Sequence, residues 1–117
     1  MNIEEFRKYC LSKKAVTESF PFDKTTLVFK VIDKMFALTN LVNDFTVNLK
    51  CNPEKTIELR EKYDAIKPGF HMNKKHWNTV IIDGSISDDF LKEMITDSYN
   101  LVVSKMTKKQ QAILKNE

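Results

Sequence analysis

The spacing of apolar residues changes twice along this chain, and that change limits the folds open to it. Ile3, Phe6, Tyr9 and Cys10 recur at helical spacing, the stretch from Thr25 to Cys51 alternates, and Phe90, Leu91, Met94, Ile95, Ser98, Tyr99, Val102 and Met106 return to a helical stripe. A block of strands between helical segments predicts an α+β domain of two layers, with helices covering one side of an antiparallel sheet. Only 2 glycines and 3 prolines punctuate the 117 residues, so the elements must be joined by short connections. That length fits one domain, residues 1–117, able to bury a core without metal or disulfide support.

The elements follow from local signals. Asn2 with Glu5 three residues later is a capping box, and the first helix should run to about Leu11 or Lys13. Ala15 to Lys24 reads as a loop anchored by Phe20 and Phe22, because Pro21 holds Phe20 extended. Three strands follow, Thr25 to Ile32, Lys34 to Leu41 and Phe45 to Cys51, joined by turns at Asp33-Lys34 and Val42-Asn43-Asp44. Asn52-Pro53-Glu54 starts a second helix that extends to about Tyr63. Beyond Pro68-Gly69, Phe70-His71-Met72 reads as a short strand, NKKH as a turn and Trp77 to Asp83 as another strand. Ser87 caps the long last helix, with Asp88 and Asp89 in its first turn. Thr107 to Glu117 adds a short basic tail helix gripping through Ile113 and Leu114. The predicted order is α-β-β-β-α-β-β-α, leaving the second sheet face at least partly wet.

Composition narrows the function classes. Hydrophobic residues make up 42% and charged residues 30%, a globular balance, and no apolar run approaches the roughly 18 residues of a membrane span. The N-terminus MNIEEFRKYC has no apolar core of signal-peptide length, so a cytoplasmic, monomeric protein is expected. Cys10 and Cys51 lack CxxC partners and read as free thiols. The net charge of +3 is spread along the chain, so binding of an anionic partner must come from a local patch.

The runs PFDKTTLVFKVIDKMFAL, LKCNPEKTIELRE, KPGFHMNKKHWNTVIIDG and SYNLVVSKMTKKQQ resemble the small bacterial MmcQ/YjbR proteins from one end of the chain to the other. The PGFHMNKKHWNTV segment is the most specific part. The resemblance implies a secretion-chaperone-like, or double-wing, fold and a DNA-binding label, with no catalytic residues to carry over. The family pattern often has glycine where this chain has Asp23 and Asp33.

The residues themselves mark one candidate patch. Lys67, His71, Asn73, Lys74, Lys75, His76 and Trp77 surround a single loop, combining phosphate-contacting cations with stacking surfaces. Set against this, Phe70, Met72 and Trp77 read as core anchors holding the loop, His76 as ordering its turn, and Lys74-Lys75 as its solvated tip. Lys30, Lys34 and Lys50 extend the patch only if strand register puts them on its side. His71 and His76 with Cys51 or Asp83 are the best available metal set, at a spacing unlike that of zinc sites, so no metal or cofactor is expected. P-loop, GxGxxG, GxSxG and HExxH motifs are absent, so no enzyme is expected. The alternative to DNA is a protein or peptide partner held on the open sheet face or at a strand edge.

Overall fold

A computed structural model describes residues 1–42 and 44–116. The elements in chain order are α1 (Ile3–Leu11), β1 (Val16–Ser19), β2 (Thr26–Val31), β3 (Lys34–Asn40), β4 (Thr46–Lys50), α2 (Pro53–Lys62), β5 (Ile66–Pro68), β6 (Trp77–Ile81), α3 (Asp88–Ser104) and α4 (Lys108–Lys115). The strands form one six-stranded antiparallel sheet in the order β1-β2-β3-β4-β6-β5.

Each helix begins where the sequence places a cap. Asn2 accepts from the Glu5 amide in a reciprocal capping box, Asn52 precedes Pro53, and Ser87 accepts from the Phe90 amide. All four helices deliver buried side chains to one core: Phe6 and Cys10 from α1, Leu59 from α2, Leu91, Met94, Ile95 and Val102 from α3, and Leu114 from α4. They meet Leu27, Phe29, Val31, Ala37, Val47, Leu49 and Val80 of the sheet. Phe6 packs edge-on against Phe29, at 5.6 Å between ring centroids. Burial of such a side chain is worth about 1.5–3 kcal/mol. The helices therefore cover one sheet face only, as the alternation predicts.

The structure departs from the predicted order in three places. The segment expected as loop contains β1, whose sequence VTES has a single apolar residue; Arg7 of α1 holds it through Glu18 at 2.9 Å. The strand expected at 70–72 lies instead at Ile66–Pro68, with proline at its end. The first hairpin turns at Ile32-Asp33, one residue earlier than predicted, and both residues take positive φ (43° and 64°). That pair of signs is the geometry of a two-residue hairpin turn, for which glycine is the easy residue. The expected turn at Val42-Asn43-Asp44 includes Asn43, which lies outside the described residues.

A bulge at Phe29/Lys30 interrupts the β2–β3 register, and β3–β4 pairing begins only at Ala37↔Leu49. Buried Ser98 of α3 bridges this gap. It accepts from the Lys50 amide (2.8 Å) and donates to the Phe36 carbonyl (2.5 Å), supplying the hydrogen bonds the ladder lacks there.

Candidate nucleic-acid interface

Cross-strand pairing sorts the strand residues onto two faces. One row, Ser19–Val28–Leu38–Asn48–Thr79–Lys67, crosses all six strands on the side away from the helices. The same face carries Lys30 opposite Met35 and Lys50 opposite Trp77 in the row below, and pairs Thr26 with Asn40 and Thr46 with Ile81 in the row above. The cations on this face are thus Lys30, Lys50 and Lys67. Among the described residues the only carboxylate within a strand is Glu18, which sits on the helix side. Exposed carboxylates crowd the helices instead: Glu4 and Glu5 on α1, Glu54, Glu58 and Glu61 on α2, and Asp88, Asp89, Glu93 and Asp97 on α3.

The loop between β5 and β6 folds over this face. Gly69 donates its amide to the Trp77 carbonyl at 3.0 Å, and a Cβ at Gly69 would come within 2.9 Å of Trp77, so the Pro-Gly turn is a matter of space. The Phe70 amide donates to Thr79 Oγ1 (2.8 Å), Thr79 Oγ1 donates to Asn48 Oδ1, and Asn48 Nδ2 donates to the Phe70 carbonyl. This circuit seats Phe70 above the middle row. His71 takes a positive φ of 59°, and Met72 packs with Val28, Leu38, Trp77 and Met35 in a small second core on the open face.

The predicted site residues divide accordingly. Lys67, His71, Asn73, Lys74 and Lys75 are exposed, His76 is half-buried, and Trp77 is buried at 7%. The Trp77 side chain is occupied with packing. Asn73 caps its own turn by accepting from the Lys75 amide (3.0 Å), and the Lys74 ammonium donates to the Gly69 carbonyl at 2.9 Å. The Cys51 amide donates to the His76 carbonyl (2.8 Å), which sets the Lys75-His76 corner beside the end of β4. Of the cations expected to extend the patch, Lys30 and Lys50 are on the open face, whereas Lys34 pairs with Val31 on the helix side. Lys34, Lys50 and Lys105 gather with Met35, Trp77, Val102 and Met106 around a depression of about 370 Å³ that no carboxylate lines.

Arg60 carries no sequence signal beyond a cation near a helix end, yet it organises the loop. Its Nε donates to Asn78 Oδ1 (2.7 Å) and its Nη2 to the Trp77 carbonyl (3.2 Å) and to the Lys74 carbonyl.

At the opposite end of the open face lies a larger trough of about 1410 Å³, lined by Phe22, Asp23, Thr26, Met35, Leu38, Thr39, Asn40, Val42, Asp44, Thr46, Asn48, Phe70, His71, Met72 and Ile81. Phe22 (65% exposed) and Phe70 (49%) are presented to solvent at its rim. Asp23 accepts from the amides of Thr25 (2.9 Å) and Thr26 (2.7 Å), and these bonds hold its carboxyl below the usual range.

The sequence model of the YjbR family matches residues 11–101. The chain belongs to the YjbR family. Within that family it is 38% identical over 109 residues to the uncharacterized protein YbdF of Escherichia coli O157:H7, covering 92% of this chain and 89% of the relative. It is 33% identical over 115 residues to the uncharacterized protein YjbR of Escherichia coli strain K12, covering 97% and 98%. Among solved structures it superposes on the Deinococcus radiodurans protein DR2400, a DUF419 domain, with a TM-score of 0.91 and 40% identity, covering 97% of this chain and 88% of that one. A Pseudomonas syringae protein gives 0.75 at 30% identity, covering 86% and 98%. The α+β architecture of this YjbR-family chain is thus that of its solved relatives.

Burial lifts both thiols of the chain above their usual range, Cys10 strongly and half-buried Cys51 less so. Among the described residues no group of three or more His, Cys, Asp or Glu is placed to hold a metal ion, and no helix is long and apolar enough to cross a membrane.

Proposed function

We propose that this YjbR-family protein is a non-enzymatic DNA-binding protein that meets phosphates with the open face of its sheet and the adjoining loop. The observation that carries this reading is a group of lysines without carboxylates at one end of the sheet. The strand residues of the open face include Lys30, Lys50 and Lys67 and no carboxylate, whereas the helices carry both signs and the far end of the face carries Asp23 and Asp44. Lys34, Lys50 and Lys105 line one depression, and the Cys51–His76 hydrogen bond brings Lys75 to the same end of the face. Cations gathered this way release counterions from a polyphosphate, so affinity should fall linearly with the logarithm of salt concentration.

Fluorescence anisotropy of a labelled mixed-sequence duplex, titrated at about 50 and about 200 mM salt, tests this. Micromolar binding that collapses at the higher salt and weakens in a Lys74→Ala/Lys75→Ala variant is the expected result. Absence of binding at low salt, by this duplex and by a single strand of the same sequence, refutes the reading.

A second reading, an extended polypeptide laid in the trough, draws on the exposed Phe22, Val42 and Phe70, since apolar surface of that kind commonly marks an interaction site. Such binding would change little with salt.

A further inference from the structure

The open face is polar along the strand direction, and that polarity bears on which form of DNA it fits. At one end Lys30 and Lys50 lie on the face itself, and at the sheet's end beside them Lys34 and Lys105, from the helix side, join Lys50 around a depression without carboxylates. At the other is the trough, where Phe22 and Phe70 are exposed, Asp23 and Asp44 contribute negative charge, and no lysine or arginine takes part. Met35 lines both, so the two regions are continuous. From Lys50 to Thr46 along β4 the separation is about 13 Å at strand rise, a reach of a few nucleotides.

A duplex matches only the basic end. Its bases are stacked and paired inside a cylinder of phosphates, and an acidic, apolar trough beside the lysines would face those phosphates with the wrong sign. An unpaired strand offers both chemistries at once: a polyanionic backbone for the lysines, and bases with apolar faces and polar edges for the trough. Phe22 and Phe70 provide the faces. The edges of the bases would meet Asn40 and Asp44, since amides and carboxylates complement the donors and acceptors of unpaired bases, while Asn48 stays engaged with Thr79 and Phe70. The carboxylates then repel the backbone and sort it toward the lysines. Asp23 has a separate part, holding the Thr25 and Thr26 amides in the turn that carries Phe22. The choice of the deoxy sugar rests on the DNA-binding proposal, since the trough is also lined by Thr26, Asn40 and Thr46, whose hydroxyls and amide would serve a ribose 2′-hydroxyl as well.

We propose that the trough is a base-binding site for single-stranded DNA, with Phe22 and Phe70 as its stacking surfaces and Lys34, Lys50 and Lys105 on the phosphates. This rests on the nucleic-acid reading above and replaces a duplex by a single strand as the preferred ligand.

The test is anisotropy with the intact protein against three labelled probes of about 12 nucleotides: a mixed-sequence single-stranded DNA, its duplex, and the RNA of the same sequence. Wild type is compared with Phe22→Ala/Phe70→Ala and with Lys50→Ala/Lys105→Ala. Because both phenylalanines are largely solvent-exposed, their replacement should leave the fold intact, which circular dichroism and thermal melting verify. The single strand should bind about ten-fold or more tightly than the duplex, and the phenylalanine variant should lose about ten-fold on the single strand with an unchanged salt slope. The lysine variant should flatten that slope. Equal affinity for duplex and single strand, or a phenylalanine variant that binds as wild type, overturns the base-binding site while leaving phosphate contact by the face standing. RNA bound as tightly as DNA overturns the sugar assignment. If no probe binds, this inference and the nucleic-acid reading fall together.

Discussion

The chain has two glycines, and each is needed for a different physical reason. At Gly69 the constraint is room: an added Cβ would lie 2.9 Å from both Trp77 Cβ and the Trp77 carbonyl, and 3.1 Å from Met72 Cβ. At Gly84 it is conformation, since φ is +87° and nothing lies within 4 Å. Gly69→Ala should therefore destabilise the protein by about 1–3 kcal/mol through forced displacement of the β6 start. A urea midpoint equal to wild type would refute that. The sequence marked Gly69 as a turn but not the close approach of Trp77, because proximity across seven intervening residues of loop has no local pattern. Trp77 shows the same limit. As the sole tryptophan amid lysines it reads as a stacking surface or a core anchor, and only the pairing with Lys50 and the cluster with Val28 and Leu38 place its ring in packing.

At the level of elements, capping residues and apolar periodicity were enough to find α1, α2, α3, β2, β3 and β4. The strands that sequence missed or displaced are the outer ones. VTES in β1 has too few apolar residues to alternate visibly, and the three residues of β5 are defined by hydrogen bonds to β6 rather than by any pattern of their own. The 69–77 loop likewise depends on α2, a different element. Arg60→Ala should remove three hydrogen bonds to Asn78, Trp77 and Lys74 and leave buried Asn78 Oδ1 without its donor, at a cost of about 1–3 kcal/mol. Hydrogen exchange should accelerate in residues 69–77 more than elsewhere. Uniform acceleration across the chain would mean that Arg60 supports the whole core instead of the loop.

For the whole molecule, two carboxylates and two thiols that depart from their usual values bound a plateau of stability. Asp83, held down by hydrogen bonds to Ser85, and Asp23, held down by those to Thr25 and Thr26, have folded values below the ordinary 3.8. Their contribution is complete above 3.8 and is lost as pH falls through the lower folded values. The two thiols run the other way. Burial raises them above the ordinary 9.0, so stability holds below that pH and declines as alkali ionises the unfolded chain first. Thermal melts across pH should show a fall on the acid side below about 4 and another above about 9. A steep fall confined to the neutral range would contradict this.

The sheet also ends abruptly on both sides. Its outer strands have four and three residues, and the second finishes in Pro68, which has no amide hydrogen to offer. Unfinished edges invite a neighbouring chain to add a strand, and stubs this short give such a chain almost nothing to copy. A sheet with one broad uncovered face thus closes off the route to fibrils, and redesigns that lengthen β5 or replace Pro68 would reopen it.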